Sequence, residues 1–408
     1  MHKYIYELLN EDDELLRTAI RGFVEDEIMP RRIEIDRDRE HKIVDGILKK
    51  LLVDMGIVKA IFPEELGGAE ITSIVSFVQI LEEIARGDLG IATAVACTLW
   101  PLIPIIYEPY RRMDLLEEFR EMFFRDELNL GCFAMTEPQG GCDIENPRME
   151  GRTIRTIAKL DGNEWVINGV KQWASNSGVA SLYLIVASTD PTVGRDGIAL
   201  IYVPSNVDGI SYSEFFDKAG LNADRNCTVY LENVRVPKRY RVAGPGEDAR
   251  LLQQNIIIGN IGSAAMSIGA AEAVFEMVSK YTSERVVAGK PIKEHSINAG
   301  ILADMAIYLE TARAYTIQVA YMFDHPEKYG PRWSDELLAK SRIAKIYAAE
   351  IGIYITNKAM ELMGSYGYVR EGLVEKYWRD IKETQIWLGG AQAGRLDIAR
   401  YFLNIETI

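Results

Sequence analysis

Apolar residues change their spacing twice along the chain, and these changes divide it into three parts. From residue 1 to about residue 128 they recur three and four positions apart, as between Leu15 and Val24, which is typical of amphipathic helices. A second stripe ends at Gly56, a third covers SIVSFVQILEEIAR, and a fourth helix is predicted after Asp88, whose side chain suits an N-cap. Residues 1–128 are therefore predicted to form an N-terminal helical domain.

Between about residues 129 and 240 the pattern alternates every second residue. The stretch TIRTIAKLDGNEWVING has β-forming residues on both sides of Asp161-Gly162, which predicts a hairpin. SLYLIVAST, GIALIYVP and CTVYLENVRVP predict further strands. We expect residues 129–240 to form a central antiparallel β domain.

From about residue 241 to residue 408 the helical spacing returns. Three long helices are predicted, and small residues along the first of them favour a central position in a bundle. The third is capped by Ser334 and ends at Gly364. The predicted fold class is α+β: an N-terminal helical domain, a β domain and a C-terminal four-helix-bundle domain.

Charge and cysteine content narrow the function classes. The formal net charge of -14 repels nucleic acid and anionic membranes, so neither is an expected partner. Four cysteines without a CxxC pair predict reduced thiols and a cytoplasmic protein, and four scattered histidines predict no metal site. The first sixteen residues are acidic and amphipathic, unlike a signal peptide. No apolar run reaches the roughly 18 to 20 residues of a membrane span.

Six short motifs are spread along almost the whole chain. They lie at 135–143 (MTEPQGGCD), 168–176 (NGVKQWASN), 232–237 (ENVRVP), 285–292 (RVVAGKPI), 364–368 (GSYGY) and 375–380 (EKYWRD). In this order and at these distances they resemble the motifs of the acyl-CoA dehydrogenase family of FAD-dependent oxidoreductases. The strength of the resemblance is in the ordered set, since each motif alone is weak.

The resemblance implies FAD as the cofactor and assigns it residues. Thr136 stands where the family hydrogen-bonds the flavin pyrimidine edge, Trp173 where it places an aromatic wall, and Ser175 where a threonine meets the N5 region. Arg285 resembles an arginine that reaches the FAD of a neighbouring subunit, which implies an oligomer, usually a homotetramer. The remaining expected cofactor contacts are Gly141, Cys142, Gly389, Gly390 and Gln392.

The residue that normally acts as the catalytic base in this family is missing. The base removes a weakly acidic proton next to a thioester carbonyl, so it must be a positioned proton acceptor. The usual glutamate of an Ile-Tyr-Glu-Gly-Thr turn corresponds to Leu388 in Ile386-Trp387-Leu388-Gly389-Gly390. The alternative place in the family, on a central helix, falls on Gly259, beside Asn260. Neither residue can accept a proton.

Three hypotheses account for this loss. The first is an acyl-CoA dehydrogenase with a relocated base that converts a cyclic, unsaturated acyl-CoA thioester to a conjugated diene by 1,4-elimination. The second is a base-free decarboxylating or desulfinating enzyme, which would require a cation near the substrate's acid group. The third is a catalytically silent subunit, and a flavin monooxygenase of similar fold is a further possibility. We rank the first hypothesis highest.

For the first hypothesis the helix after Asp88 supplies the pocket. Asp88 is the only acid in this stretch and is proposed as the relocated base, with helix capping as its simpler role. The resemblance implies an acyl-CoA substrate and electron-transfer flavoprotein, or a similar protein, as the electron acceptor. The residues expected to surround a compact apolar ring are Thr93, Ala96, Cys97, Trp100 and Leu388.

Overall fold

The computed structural model describes residues 11–406, so the helical structure predicted for residues 1–10 lies outside the described range. The N-terminal part is helical, as predicted, and the Asp88 side chain caps the helix that follows it. The helices of this part are Glu11–Phe23 (α1), Arg32–Arg37 (α2), Lys42–Lys49 (α3), Ile57–Ala60 (α4), Ile74–Gly87 (α5), Leu89–Leu99 (α6) and Met113–Phe123 (α7).

The middle part is built around one seven-stranded sheet. Its strands are Gly131–Ala134 (β1), Ile157–Asp161 (β2), Glu164–Lys171 (β3), Leu182–Ser188 (β4), Ile198–Pro204 (β5), Ile210–Tyr212 (β6) and Val229–Pro237 (β7), and the short helix Cys142–Glu145 (α8) follows β1. The order is β1-β4-β2-β3-β7-β6, with β5 paired to β4.

The predicted hairpin is confirmed, since β2 and β3 pair in antiparallel register from Ile157↔Asn168 to Asp161↔Glu164. The sheet is mixed and not purely antiparallel: β4 lies parallel to both β1 and β2. Sequence alternation shows which residues are strand-like but not which strands become neighbours, because both pairings produce the same period of two.

The C-terminal part is the predicted helical bundle. It contains Glu247–Glu284 (α9), Val286–Val287 (β8), Lys290–Pro291 (β9), Ser296–Asp324 (α10), Pro326–Tyr329 (α11), Asp335–Met363 (α12), Ser365–Tyr368 (α13), Val374–Ile386 (α14) and Gly390–Leu403 (α15). The predicted fold class is confirmed.

Helix α9 is the core of the molecule and packs against α5, α10, α12 and α14. By length and composition it could cross a bilayer, but 94% of its most apolar window is buried inside the protein. Its small residues allow close packing: a Cβ at Gly269 would lie 2.0 Å from the Glu82 carbonyl oxygen of α5. Since α6 also packs against α9, the bundle fixes the helix that lines the cavity described next.

Candidate active site

A cavity of about 820 Å³ opens where the three parts of the chain meet. Its walls come from α6, the loops after β1 and β3, the segment between β6 and β7, α9, and the turn at 386–389. The volume is within the range of small-molecule sites, about 300–1,000 Å³. One site is thus assembled from elements far apart in sequence.

The structure brings most of the predicted site residues together in this cavity. Arg285 and Gln392 are exposed outside its lining, and Gly390 forms the first turn of α15. The expected role of Arg285 toward a neighbouring subunit, and the contacts of Gly390 and Gln392, remain predictions. The predicted residues that line the cavity are Thr93, Ala96, Cys97, Trp100, Thr136, Gly141, Cys142, Trp173, Ser175, Leu388 and Gly389.

A buried ion pair holds the loop after β1 that carries Thr136. Lys171 Nζ donates to Glu137 Oε1 and to the Met135 carbonyl, both at 2.8 Å. Glu137 also accepts backbone N–H bonds at 2.7 and 2.8 Å from Arg155 and Thr156. Burial lowers the pKa of Lys171 to about 8, against the opposing effect of Glu137. The pair fixes the TEP segment against β3, so Glu137 and Lys171 have a structural role that the motifs did not reveal.

The loop after β3 presents an aromatic ring to the cavity. Trp173 has φ 69° and remains 53% exposed, although it is a large apolar side chain. Its ring lies 4.2 Å from that of Phe216, and its carbonyl accepts from Asn226 Nδ2 at 2.9 Å. Left-handed backbone at a bulky residue is strained and persists where surrounding contacts enforce it. The exposed part of the Trp173 ring is therefore available to contact a ligand in the cavity.

Asn176 connects this loop to α6. Its side-chain amide donates to the carbonyls of Ala94 and Gly131, at 2.9 and 3.0 Å, and to Thr98 Oγ1 at 3.2 Å. Asn176 is buried with φ 64°, a conformation that asparagine tolerates better than most residues. The positions of α6 and of the Trp173–Ser175 segment are therefore coupled.

A buried carboxylate stands behind Ser175. Ser175 Oγ donates to Asp224 Oδ2 at 2.9 Å, and Lys218 Nζ lies 3.5 Å from the same oxygen. Asp224 is only 3% exposed and lines the cavity, and its Oδ1 has no hydrogen-bond partner among the described residues. A buried carboxylate oxygen without a donor is costly, so this oxygen calls for a functional explanation.

The α6 wall is predominantly apolar. Trp100 packs on Phe133 with ring centroids 4.9 Å apart and donates its indole N–H to the Asn255 carbonyl at 3.0 Å. Thr93 directs its hydroxyl to the Leu89 carbonyl at 2.8 Å. Burial, assisted by Asp224, raises the pKa of the Cys97 thiol to about 12. Cys97 is therefore a neutral wall residue and not a nucleophile at neutral pH.

Hydrogen bonds from buried side chains fix the backbone of the turn at 386–389, although the Leu388 side chain is apolar. Leu388 has φ 50°, and its carbonyl accepts from Arg342 Nη1 at 2.6 Å. Lys345 Nζ donates to the Trp387 carbonyl at 2.8 Å, and the Trp387 indole donates to Ser263 Oγ at 2.6 Å. Burial lowers the pKa of Lys345 to about 8. Two buried cations thus fix the turn from behind.

Arg342 is the centre of a buried network behind this turn. It pairs with Glu145 at 3.0 Å and with Asp397 at 2.9 Å, and its Nη1 also lies 3.2 Å from Asn260 Oδ1. Burial chiefly raises the pKa of Glu145, while Arg342 opposes that rise. The network joins α8, α9, α12 and α15 directly behind the cavity surface.

The second place expected for a base is filled by neighbouring side chains. A Cβ built on Gly259 would lie 2.5 Å from Trp100 Cζ2 and 3.2 Å from Leu388 Cδ2. The first distance is far below van der Waals contact, so any side chain at 259 displaces the Trp100 ring. The two positions where the resemblance expects a base therefore adjoin each other and share an apolar environment.

The position of Asp88 contradicts its proposed role as the relocated base. Its Oδ1 accepts the Ile91 N–H at 2.9 Å and its Oδ2 pairs with Lys376 Nζ at 2.7 Å. The carboxylate is buried, and Asp88 is not among the residues that line the cavity. Burial alone lowers the pKa of Lys376, but Asp380 and Asp88 raise it above its ordinary value. Asp88 is a helix cap and an ion-pair partner.

Several site residues were missed by sequence reasoning. Asp224 and Lys218 lie in an irregular segment with neither helical nor strand periodicity, and Glu145 follows a glycine-rich turn. Glu383 also lines the cavity, and burial raises its pKa. A charged residue is usually solvated, so no local signal showed that these acids would meet at one cavity.

Comparison with known proteins identifies the class of enzyme that this fold and cavity define. The N-terminal, middle and C-terminal domains of acyl-CoA dehydrogenase match residues 10–108, 132–234 and 249–403. The chain belongs to the acyl-CoA dehydrogenase family, whose members are oxidoreductases acting on CH–CH bonds.

Mitochondrial and bacterial relatives match nearly the whole chain. The mitochondrial short-chain specific acyl-CoA dehydrogenase of Rattus norvegicus is 31% identical, over 97% of this chain and 91% of its own. Cyclohexane-1-carbonyl-CoA dehydrogenase of Syntrophus aciditrophicus is 30% identical, over 96% and 97%. Cyclohex-1-ene-1-carbonyl-CoA dehydrogenase of Geobacter metallireducens is 28% identical, over 97% and 99%.

Solved structures share the fold over almost their full length. Butyryl-CoA dehydrogenase from Megasphaera elsdenii superimposes with a TM-score of 0.84 at 25% identity, covering 99% of this chain and 100% of its own. A structure titled electron transferring flavoprotein of Acidaminococcus fermentans also gives 0.84 at 25% identity, covering 97% and 99%.

The cofactor of this enzyme is FAD, and the cavity residues fit it. The cavity offers the half-exposed Trp173 ring and the Ser175 hydroxyl to the flavin. The Gly141 N–H donates to Asp143 Oδ1 at 2.7 Å, so this side chain would have to yield before that amide reached a phosphate. The lining residues that would hold FAD are Thr136, Gly141, Cys142, Trp173, Ser175 and Gly389.

Proposed function

We propose that this enzyme oxidises a cyclic, unsaturated acyl-CoA thioester to a conjugated cyclic diene by 1,4-elimination. The observation that supports the proposal best is the apolar surface formed by Leu388, Gly259 and Trp100. Ordinary 1,2-dehydrogenation needs a proton acceptor beside the thioester α-carbon, and these residues offer none.

In a 1,4-elimination the proton leaves an allylic ring carbon away from the thioester carbonyl. The turn at 386–389 then needs no proton acceptor. Its apolar side chains, Leu388 and Trp387, exclude water and shape the pocket. FAD, when bound, supplies the hydride acceptor. The compact wall of Thr93, Ala96 and Cys97 suits a ring better than a long flexible chain, because it ends against the Trp100–Phe133 pair.

The names of the relatives support an alicyclic substrate. Relatives that span the chain include dehydrogenases of cyclohexane-1-carbonyl-CoA and cyclohex-1-ene-1-carbonyl-CoA, beside short-chain acyl-CoA dehydrogenases. The first is 30% identical, about as similar as the short-chain enzyme at 31%, so identity alone does not select the substrate. The apolar residues of the α6 wall provide further support for a cyclic substrate.

The base-free alternative requires a cation for the substrate's acid group. Lys218 is a cavity-lining cation, but its Nζ is already bound by the Asp224 carbonyl at 2.6 Å and by the Asn226 side chain. Arg342 is neutralised by Glu145 and Asp397. The geometry therefore favours a neutral ring over an acidic substituent. A silent subunit remains the alternative if no thioester reacts.

The proposal also covers the electron acceptor, the oligomeric state and the cellular location of the enzyme. We infer an electron-transfer flavoprotein or a similar protein as electron acceptor, a homotetramer, and a cytoplasmic location. The similarity to a structure titled electron transferring flavoprotein supports the first of these. The oligomer inference depends on Arg285, which is exposed at the end of α9.

The proposal is tested by anaerobic reduction of the bound flavin with a panel of CoA thioesters. Cyclohex-1-ene-1-carboxyl-CoA should bleach the flavin absorbance within one turnover, and the product should be a conjugated diene by mass and ultraviolet spectrum. Butyryl-CoA and octanoyl-CoA should reduce it poorly. Fast reduction by the linear thioesters, with none by the cyclic one, would contradict the proposal.

A further inference from the structure

In the part of the chain that the structure describes, four acidic side chains lie in the cavity lining. Two of them form ion pairs with arginines. Glu145 is paired with the buried Arg342. Asp217 is on the surface, where its largely exposed carboxylate pairs with Arg39 at 2.9 Å. Asp224 and Glu383 remain as possible proton acceptors.

Asp224 is the acid connected to the α6 wall. The preceding residue, Ala223, packs against Gly90 in the first turn of α6, where a Cβ on Gly90 would lie 3.0 Å from the Ala223 Cβ. Its negative charge also reaches the Cys97 thiol farther along the helix. Glu383 lies instead on α14, the helix that leads into the turn at 386–389. Asp224 therefore adjoins the α6 wall, which is proposed to surround the ring.

The two carboxylate oxygens of Asp224 are in different situations. Oδ2 is held by the Ser175 hydroxyl and faces the Lys218 ammonium group. Oδ1 has no partner among the described residues, although the side chain is almost fully buried. A carboxylate oriented through one oxygen, with the other lacking a donor, can receive a proton without first breaking a hydrogen bond.

We propose that Asp224 is the proton acceptor that replaces the missing glutamate in the 1,4-elimination, and this inference rests on the proposed function. An allylic C–H bond of the ring breaks and its proton goes to Asp224 Oδ1. The ring double bond shifts by one position, and the C–H bond of the other allylic carbon breaks as a hydride that FAD, when bound, would accept. The thioester gains one double bond by losing a proton to Asp224 and a hydride to that acceptor, and the proton returns to solvent after product release.

Ser175 is the positioning residue in this arrangement. A serine hydroxyl has one hydrogen, and here that hydrogen is directed to Asp224 Oδ2, because an ionised carboxylate can only accept. Removing the hydroxyl leaves the carboxylate charged but free to turn. The expected loss for Ser175→Ala is therefore smaller than for Asp224→Asn.

The test compares wild-type holoenzyme with the Asp224→Asn and Asp88→Asn variants. Asp88→Asn is the matched control, since it makes the same chemical change at a buried acid outside the cavity. Single-turnover flavin reduction by the most reactive CoA thioester should fall about 10²- to 10⁴-fold in Asp224→Asn and stay near wild type in Asp88→Asn, per mole of bound FAD. FAD content and the Kd for the same thioester, measured by calorimetry, should be unchanged in Asp224→Asn.

Deuterium incorporation provides a second readout. When the reduced wild-type enzyme is given the diene product in D₂O, deuterium should enter the allylic ring carbon that accepts the proton, and Asp224→Asn should suppress this incorporation. Near-wild-type flavin reduction by Asp224→Asn overturns the proposal, as does an equivalent loss in Glu383→Gln with Asp224→Asn unaffected. If only linear thioesters react and Asp224→Asn abolishes that reaction, the substrate proposal fails while the base assignment stands. If no thioester reduces the wild type, both fail.

Discussion

The β-domain wall of the cavity presents polar groups at the surface, whereas the wall from the turn at 386–389 presents Leu388 and keeps its charges behind it. On the first wall Ser175 and Asp224 reach the cavity. On the second, Arg342 and Lys345 bind the carbonyls of Leu388 and Trp387 from the protein interior. The second wall has its backbone fixed from behind and presents an apolar side chain to the cavity.

This difference teaches that backbone position and side-chain chemistry can change independently at one site. The turn is strained at Leu388, with φ 50°, and strained backbone persists only where neighbours enforce it. Simple decay of an unused site would not need two buried cations on its carbonyls. The turn is maintained, and this favours an active enzyme over a silent subunit.

The largest effect is expected when the support behind the turn is removed. Arg342→Met leaves Glu145 and Asp397 buried without their shared cation, which should lower the free energy of unfolding by about 3–5 kcal/mol. Urea unfolding of the FAD-loaded protein measures it. The control is Arg395→Met, whose pair with Glu350 is surface-exposed and should contribute less than about 1 kcal/mol. Equal losses in the two variants would show that the buried network does not support the turn.

The β-domain wall is weakened next by Lys171→Met. Glu137 then keeps its two backbone donors but loses its buried cation, so a loss of about 3 kcal/mol is expected. Because the ion pair holds the segment that carries Thr136, FAD retention on gel filtration should fall together with stability. A variant that loses stability but retains FAD fully would separate this pair from the cofactor site.

Much of the fold was predictable because its signals are local. The Asp161-Gly162 hairpin, the Asp88 cap and the small-residue face of α9 depend on neighbouring residues and were confirmed. The mixed sheet and the pairing of Asp88 with Lys376 depend on residues distant in sequence, and so does the burial of Asp224 beside Ser175. A helix cap and a catalytic carboxylate look identical in sequence, so the sequence could not distinguish these two roles for Asp88.

Replacing Leu388 by a proton acceptor should allow ordinary 1,2-dehydrogenation of a linear thioester. Leu388→Glu should raise flavin reduction by butyryl-CoA at least about 10²-fold, because a proton acceptor returns beside the α-carbon. Gly259→Glu should not, since its Cβ would collide with Trp100. Stopped-flow reduction of both variants measures the difference. Equal gains would mean that the Trp100 ring moves freely and that the apolar surface is not a fixed feature.

The smallest stability effect is expected at the aromatic ring on the β-domain wall. Trp173 is half-exposed, so Trp173→Phe should change the free energy of unfolding of the FAD-free protein by no more than about 0.5 kcal/mol. FAD retention should nevertheless fall, because the smaller ring offers less surface to the flavin. The matched control is Trp378→Phe, on an exposed face of α14 outside the cavity lining, which should leave FAD binding unchanged. Fluorescence titration of FAD into the two apoproteins gives the comparison. If both variants bind FAD as the wild type does, the strained conformation of Trp173 serves the packing of Phe216 and not the cofactor.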